Sequence, residues 1–352
     1  MGRSGNPSGL WRKCGEGGLA RLPSVAAPDP ELLATALTRV LGDGISIDGL
    51  RRVSGGASRE TWLFDAVDGS GARHGLVLRR DPGGHGGQSD RATEYALLEA
   101  TAAAGVAVPR PRLLLTEADG LGRGFVMDRI DGETIPRRIL RDAEYEAARP
   151  RLAEQCGRVA AAIHATDTAT LPRLPVLDAA AQIAQYREVL DLVGEPHPTL
   201  ELGLRWLSER QPPAPAPSRL VHGDFRNGNL VVGPDGVRAA LDWELAHLGD
   251  PVEDLGWLCV RSWRFGVDDR VVGGFGDLDA LLAGYAAAGG EVPTAEAVHY
   301  WMVFGTLKWG AITVMQAFAH LSGTVRSVEL ATLGRRVVEM EWDLLDAIEG
   351  SW

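Results

Sequence analysis

The stretch LVHGDFRNGNLVV, Leu220–Val232, places a dense polar cluster between two apolar, strand-like runs. Burying such side chains costs free energy unless they are paired, and folding alone does not require them. The residues that follow, NLVV, GPDG and VRAALD, predict a β-hairpin with a four-residue turn. Such a hairpin brings Asn229 at its start near Asp242 at its end. Asp224 lies in the loop that leads into the hairpin. The pattern therefore predicts a functional site at the open end of this hairpin.

The spacing of these polar residues matches a known catalytic pattern. In phosphoryl-transfer enzymes a loop His and Asp are followed by an Asn five residues after the Asp, and later by a metal-binding Asp. Here His222, Asp224 and Asn229 fit the loop, and Asp242 follows Asp224 by eighteen residues. Amide and carboxylate oxygens are typical ligands of Mg²⁺. We therefore predict that Asp224 accepts or orients a hydroxyl proton, and that Asn229 and Asp242 hold Mg²⁺ on ATP.

Each of these residues also has a simpler interpretation. A single Asp or Asn in a loop is usually a cap or turn residue, and His222 is expected to orient the loop by hydrogen bonding. Glu244 is left open between a metal-site role and a solvent-facing one. Arg226 either steadies the loop or contacts phosphate. The joint spacing, and no single residue, carries the prediction.

HGDFRNGNLVV together with LDWELAHLGDPVEDLGWL resembles the aminoglycoside phosphotransferase and choline kinase superfamily, and most of all its branch of kinase domains associated with acyl-CoA dehydrogenases. The resemblance extends in element order over about residues 45 to 320. It implies an α+β, two-lobed protein-kinase-like fold with a small antiparallel β-sheet lobe carrying one main helix and a larger, mostly helical lobe. It also implies that Asp224 is catalytic, that Asn229 and Asp242 bind metal, and that Asp254 buttresses the loop.

A kinase-like fold requires a basic residue on the third strand and an acid on the next helix. LVLRRD ends that strand, so Arg79 is the predicted cation, with Arg80 on the opposite face as the alternative. An arginine can bind phosphate through two hydrogen bonds and stays charged, although the wider superfamily carries lysine here. Glu94 on the following helix is the predicted partner of Arg79, and Glu99 is its competitor.

Two further segments are predicted to contact ATP. VSGGASRETWLF supplies the loop between the first two strands, where backbone N–H groups and hydroxyls can bind phosphate, although a plain turn is the default for such a sequence. Its candidate residues are Ser54, Gly55, Gly56 and Ser58. FVMDRIDG resembles the family's hinge. By that resemblance Met127 lines the adenine pocket, while the Asp128 carbonyl and the Ile130 amide meet the adenine edge.

Composition limits the class of protein. The 352 residues carry a net charge of −11, which disfavours nucleic acid as a partner, and no apolar run approaches the length of a membrane helix. Three widely spaced cysteines indicate reduced thiols in a cytoplasmic protein. We expect a disordered tail over residues 1–28, a nucleotide-binding lobe over 29–130, and a catalytic and substrate-binding lobe over 131–352.

The predicted function is transfer of the ATP γ-phosphate to a small-molecule hydroxyl, with a hydroxyacyl compound favoured. VRSWRFG, Val260–Gly266, offers either an arginine and tryptophan patch for an anionic or acyl acceptor, or a packed Trp between surface arginines. HYWMVFGTLKWG is predicted to pack in the core. The alternatives are an aminoglycoside or other antibiotic kinase and a catalytically inactive nucleotide-binding module. A protein kinase is disfavoured because GxGxxGxV and Ala-Pro-Glu are absent from the sequence.

Overall fold

The structure is a computed structural model that describes residues 27–53, 60–81, 91–215 and 217–350. The predicted ATP-covering residues Ser54, Gly55, Gly56 and Ser58 therefore lie outside the described residues, as do residues 1–26 of the predicted tail. The first described helix begins after Asp29, whose side chain accepts a hydrogen bond from the Glu31 amide as an N-cap. The other site residues predicted from the sequence are all described.

The N-terminal part is built on one antiparallel sheet. Its five strands stand in the order β1-β2-β3-β5-β4, and the main helix follows the third strand, as predicted. The bounds of its elements are α1 Pro30–Leu41, β1 Ser46–Val53, β2 Glu60–Val67, β3 Arg73–Asp81, α2 Arg91–Ala103, β4 Pro111–Leu114 and β5 Arg123–Asp128. The α+β, two-lobed kinase-like prediction is confirmed.

Strand β3 is buried on both faces, and its alternation decides which arginine meets the site. Leu76 and Leu78 pack into a cluster with Leu33 and Leu37 of α1. Val77 belongs to the other cluster, which includes Leu97 of α2 and continues into the helical part of the chain. Because successive side chains point to opposite faces, the residue after Leu78 shares the face of Val77.

The C-terminal part is mostly helical around a short hairpin and a second strand pair. Strand β6 pairs with β9, and β7 pairs with β8. The bounds are α3 Pro136–Arg141, α4 Arg149–His164, α5 Ala179–Val193, α6 Pro198–Glu209, β6 Arg219–Val221, β7 Leu230–Gly233, β8 Gly236–Ala240, β9 His247–Gly249, α7 Val252–Cys259, α8 Leu278–Ala287, α9 Ala295–Leu321, α10 Val328–Gly334 and α11 Val337–Glu349. Among the described residues, no helix has both the length and the apolarity to cross a membrane.

Two local expectations were wrong. The β7–β8 turn has two residues and not four, since Gly233 pairs with Gly236; positive φ at Gly236 permits the tighter turn. The helical spacing of apolar residues over 327–348 predicts one helix, but the structure has two there, α10 and α11. A side chain at Gly334, the last residue of α10, would start only 2.5 Å from Cβ of Ala317 in α9. The chain turns at this close contact, and α11 then packs against α6 and α9.

The segment between the two parts is tied to the hairpin. Glu133 forms an isolated bridge with Val232 of β7, with N···O distances of 2.8 and 2.9 Å in the two directions. The amide of Ala240 in β8 donates to the carbonyl of Ala107, 2.8 Å away, in the segment after α2. The hairpin therefore touches both the connecting segment and the N-terminal part, which fixes it beside the sheet.

Candidate active site

The loop after β6 has a backbone that only glycine can adopt at one position. Gly223 has φ of +77°, and a Cβ there would lie 2.4 Å from the carbonyl oxygen of Leu245. Its amide donates to Oδ1 of Asp254 at 2.9 Å, and the amide of His222 donates to Oδ2 of Asp254 at 2.8 Å. The turn into Asp224 is therefore set by sterics and by two hydrogen bonds to one carboxylate.

Asp254 is fully buried at the start of α7. Besides the two loop amides, Oδ2 contacts Nε2 of His164 at 3.0 Å, and Nδ1 of that imidazole contacts the Tyr285 hydroxyl at 2.9 Å. Burial would raise the pKa of Asp254, but the His164 hydrogen bond and the other partners hold it below its usual value. These contacts are those of a residue that braces the loop, which is the role the resemblance implied.

The Asp224 carboxylate is held on both oxygens. Oδ1 accepts from the Trp257 indole at 2.9 Å and from Nε of Arg226 at 3.0 Å, and Oδ2 accepts from the amide nitrogen of Asn229 at 2.5 Å. The same Asn229 nitrogen lies 2.9 Å from the Asp224 carbonyl. The side chain of Asp224 keeps 14% of its surface exposed. The structure thus brings two predicted site residues together in one fixed, partly accessible cluster.

Asp242 follows β8 and lies beside Asn229. The amide of Leu241 donates to the carbonyl of Asn229 at 2.8 Å. Asp242 has φ of +62°, a conformation uncommon outside glycine, and its Oδ1 lies 2.6 Å from the Arg79 guanidinium. Burial would raise the pKa of Asp242, but Arg79 outweighs it and holds the pKa below the usual value.

Arg79 joins the hairpin to helix α2. Its second nitrogen lies 2.8 Å from Oε1 of Glu94, which is buried, and Oε2 of Glu94 is 2.6 Å from Arg91. Arg91 in turn pairs with Asp81 at 2.6 Å. Burial would lower the pKa of Arg79, but Asp242 and Glu94 raise it, so the guanidinium stays charged. The predicted strand cation, helix acid and hairpin carboxylate are therefore one connected network.

The competitors of Arg79 and Glu94 lie elsewhere. Arg80 points to the opposite face of the sheet, where its Nε lies 2.9 Å from Glu60 and its guanidinium stacks over Trp62 at 5.9 Å. Glu99 is exposed on α2. Side-chain alternation along β3 therefore selects Arg79 over Arg80, and burial along α2 selects Glu94 over Glu99.

The predicted hinge residues lie at the end of β5 and just beyond it. Met127 is buried in the cluster shared with α2. The Asp128 carboxylate accepts from Nε and Nη2 of Arg112 at 2.7 and 2.9 Å, and Ile130 begins the connecting segment. The assignment of Met127, the Asp128 carbonyl and the Ile130 amide to adenine binding stays a prediction.

VRSWRFG has mixed roles. Trp263 is buried and the Arg226 guanidinium stacks on it at 4.3 Å, so Arg226 steadies the loop. Arg264 is buried and donates to the carbonyl of Cys259 at 2.9 Å, which is a structural contact. Arg261 stays 41% exposed on its side chain and pairs with acids of the following loop and of α11. Neither of the two predicted interpretations describes the whole segment.

A cleft of about 1070 Å³ opens between α3, the segment after α7, and α11. Its wall meets the loop at Pro136, since a Cβ on Gly228 would lie 3.6 Å from the Pro136 ring. The other lining residues are four arginines, two acids, one serine and five apolar residues or glycine: Ile135, Arg137, Arg141, Arg261, Ser262, Phe265, Gly266, Arg336, Val338, Glu339, Trp342 and Asp343. Asp224 itself is not among these lining residues.

Sequence reasoning missed two residues of the site. Trp257 reaches Asp224 from α7, and Lys308 reaches the Gly223 carbonyl from α9. Both lie in apolar helical segments, for which core packing is the usual prediction. The only available signal for Lys308 was that it is one of two lysines in the chain, in a helix built mostly from apolar residues.

Comparison with known proteins shows the family to which this chain belongs. Residues 49–301 match the model of the phosphotransferase enzyme family, a match that covers most of the chain. The chain therefore belongs to that family, and transfer of phosphate is its class of reaction.

Several relatives and solved structures share the fold. Mouse acyl-CoA dehydrogenase family member 10 is 27% identical over 298 residues, or 76% of this chain, and the chicken family member 11 is 29% identical over 226 residues, or 59%. The chain spans about a quarter of the length of either, 27% in both cases. A Ralstonia eutropha protein, provisionally described as an aminoglycoside phosphotransferase, superposes with a TM-score of 0.71 at 23% identity, covering 92% of this chain and 99% of its own. The macrolide 2'-phosphotransferase of Brachybacterium faecium gives 0.56 at 21% identity, covering 87% and 97%.

The buried imidazole of His222 gives the first prediction. Its Nε2 contacts the Leu241 carbonyl at 3.0 Å and its Nδ1 accepts from the Asp224 amide at 3.2 Å, an arrangement that needs the neutral ring. Burial lowers the pKa of His222 even though Asp254, Asp224 and Asp242 raise it. Below pH about 6.5 the imidazole of His222 therefore takes up a proton in the unfolded state more readily than in the folded state. The free energy of unfolding falls as the pH falls.

We expect the drop in unfolding free energy between pH 7.5 and 5.5 to be smaller in His222→Gln than in the wild type. The difference is at most about 1.4 kcal/mol per pH unit below the unfolded pKa. Urea denaturation at the two pH values measures it. His299→Gln, a partly buried histidine remote from the loop, is the control. An equal pH dependence in the wild type and His222→Gln would contradict the neutral assignment.

Proposed function

We propose that this protein transfers the γ-phosphate of ATP to a hydroxyl of a small molecule, and that the acceptor is an anionic compound such as a hydroxyacyl derivative. The observation that carries the proposal is the Asp224 carboxylate, which is hydrogen-bonded on both oxygens and coupled through Asn229 to the hairpin that bears Asp242. Phosphoryl transfer has a loose transition state, so positioning and charge neutralisation supply most of the catalysis.

Asp224 would orient the acceptor hydroxyl and take its proton as the new oxygen–phosphorus bond forms and the bond to ADP breaks. Its fixed geometry limits the directions in which a hydroxyl can bind. Arg79 and Glu94 would place the phosphates from the sheet side, with Arg79 replacing the lysine found more widely in such folds. Met127, the Asp128 carbonyl and the Ile130 amide would contact adenine. The spectinomycin phosphotransferase of related fold was crystallised with ADP, which supports a nucleotide in this position.

The donor set fits a magnesium ion that arrives with the nucleotide. Among the described residues no cluster of three or more His, Cys, Asp or Glu could hold a metal alone, and Mg²⁺ commonly uses one or two protein oxygens together with phosphates and water. Since the Asn229 nitrogen is directed at Asp224, its amide oxygen would be one ligand of the ion, and the Asp242 carboxylate would be the second. When bound, Mg²⁺ would neutralise phosphate charge.

The lining of the cleft favours an anionic acceptor. Arg137 and Arg141 of α3 are exposed, and neither makes an ion pair or side-chain hydrogen bond with the described residues. Trp342 lines the same cleft and is 66% exposed, which provides an apolar surface there. Arginines bind carboxylate and phosphate well. An aminoglycoside is cationic and would be repelled here, so antibiotic phosphorylation is the weaker candidate, although solved relatives bind hygromycin B and spectinomycin.

An inactive nucleotide-binding module is the remaining alternative. A module that only binds nucleotide does not need a loop carboxylate held by an amide partner, or a second carboxylate placed for a metal. The structure keeps Asp224 hydrogen-bonded to Asn229, and Asp242 paired with Arg79. These contacts favour an enzyme over a scaffold.

Asp224→Asn tests the catalytic assignment. We expect a fall in kcat of about 10²- to 10⁴-fold, because proton acceptance and orientation are lost, with ATP affinity nearly unchanged. ADP release and calorimetric ATP binding measure the two quantities. Asp235→Asn, in the exposed β7–β8 turn, is the control. Near-normal turnover in Asp224→Asn would rule out Asp224 as the base.

Asp242→Ala tests the metal assignment. Loss of the carboxylate should weaken Mg·ATP binding by about tenfold or more, which is ~1.4 kcal/mol per tenfold, and binding of ATP without Mg²⁺ should change far less. Thermal-shift titrations with ATP, with and without Mg²⁺, measure the difference, and Asp235→Asn again serves as the control. An unchanged dependence on Mg²⁺ would refute the role.

A panel of hydroxyl compounds in three charge classes tests the acceptor. ADP release should rise with anionic hydroxy acids and hydroxyacyl thioesters, and not with neutral sugars or cationic aminoglycosides. Arg137→Gln/Arg141→Gln should raise KM for the anionic acceptor about tenfold or more, since hydrogen bonds to charged groups contribute about 1.5–3 kcal/mol. Arg138→Gln is the control, because Arg138 pairs with Glu133 and does not line the cleft. Transfer confined to aminoglycosides would overturn the anionic assignment.

A further inference from the structure

Lys308 is a buried lysine with no part in the proposed chemistry. It lies on α9, is 3% exposed, and is the only lysine in the part of the chain that the structure describes. Removing an ammonium group from water costs several kcal/mol unless its partners compensate. The partners of Lys308 therefore show what it holds in place.

Three groups surround the ammonium. Nζ lies 2.7 Å from the carbonyl oxygen of Gly223, 3.3 Å from Oε1 of Glu253, and 4.6 Å from the centre of the Trp257 ring. Oε2 of Glu253 accepts from Gln182 at 2.6 Å and contacts His247 at 3.1 Å. Burial would lower the pKa of Lys308, but Glu253 outweighs it and the pKa is raised. The lysine is thus charged and aimed at the loop.

The first route to the site runs through the backbone. Gly223 directly precedes Asp224, and its amide already donates to Asp254 at 2.9 Å. Lys308 binds its carbonyl, so both polar groups of Gly223 are held. The carbonyl of Gly223 shares a rigid peptide plane with the Asp224 amide. Fixing that carbonyl therefore fixes the direction in which Asp224 leaves the turn.

The second route runs through an indole. Trp257 donates Nε1–H to Oδ1 of Asp224 at 2.9 Å, while the Lys308 ammonium lies over the face of the same ring. A cation over an indole face is attracted to it, more strongly where water is excluded. The ammonium therefore helps to hold the ring where its N–H reaches the carboxylate, and it draws electron density away from the donor nitrogen.

We infer that Lys308 and Trp257 are positioning residues that together hold the Asp224 carboxylate for phosphate transfer. The inference rests on the proposed function, in which Asp224 orients the acceptor. Neither residue touches the reacting atoms; Lys308 acts through Gly223 and Trp257. Displacements of about 1 Å in such a constellation can lower a rate by about 10²-fold.

The spectroscopic test does not need an acceptor. In ¹⁵N–¹H spectra of the full chain with labelled indoles, Trp257→Phe identifies the Trp257 Nε1–H signal among ten tryptophans. Lys308→Met and Asp224→Asn should both shift that signal and speed its exchange with solvent by about tenfold, a factor that corresponds to ~1.4 kcal/mol. Lys308→Arg should restore part of the protection. Thr313→Val, which removes a buried hydroxyl from the same helix, should leave the signal in place.

The kinetic test uses Mg·ATP with water as the acceptor, so that ADP and phosphate are the products. Lys308→Met and Trp257→Phe should each lower kcat about 10- to 100-fold with KM for Mg·ATP changed by less than about threefold. Because both act on one carboxylate, the double variant should lose little more than the worse single variant. Trp257→Phe keeps an aromatic side chain in the core and removes the N–H donor, so it carries the test where Lys308→Met fails to fold.

The outcomes separate the two proposals. Two results would overturn the positioning role while Asp224→Asn stays inactive. One is an unmoved Trp257 signal in Lys308→Met, and the other is a loss of kcat in the double variant equal to the product of the two single losses. Wild-type turnover in Asp224→Asn would overturn the proposed function itself, whatever the indole spectra show.

Discussion

The whole candidate site depends on one buried carboxylate. Asp254 accepts from the amides of His222 and Gly223 and contacts the His164 imidazole. A buried charge with partners on several sides is costly to disturb, because removing one partner leaves the charge uncompensated. The loop conformation therefore depends on the packing of α4 and α7, which carry His164 and Asp254. Gly223 is needed because the turn leaves no room for a side chain.

A second line of contacts joins the sheet to the hairpin. Asp242 pairs with Arg79, Arg79 with Glu94, and Glu94 with Arg91. Arg79, Glu94 and Arg91 lie at low exposure because their charges compensate one another, while the Asp242 side chain keeps 44% of its surface exposed. The hairpin carries both Asn229 and Asp242, and the network places them against the face of β3 that looks toward α2. The loop and this network thus meet at the hairpin, which carries a residue of each.

Part of this site could be predicted from local spacing. Asp224 and Asn229 lie in one loop, and the hairpin brings Asp242 beside Asn229, so a few residues of chain decide their distances. Strand alternation separates Arg79 from Arg80, and only burial on α2 distinguishes Glu94 from Glu99. The two-residue turn and the break between α10 and α11 were not predicted, because positive φ at Gly236 and the close approach of Gly334 to Ala317 are features of the folded backbone.

The sequence by itself determined the reaction class, the residue types of the loop and the alternation of the strands, because each depends on neighbours within about twenty positions. Only the tertiary structure decided that Lys308 reaches Gly223 from 85 residues away and that Trp257 reaches Asp224 from 33. It also decided that His164 meets Asp254 across 90 residues. A lysine or tryptophan in an apolar helix carries no local sign of its partner, since that partner is chosen by how distant helices pack. The loop sequence HGDFRNGN indicates the class of reaction, and the packing of the surrounding helices fixes the positions of its side chains.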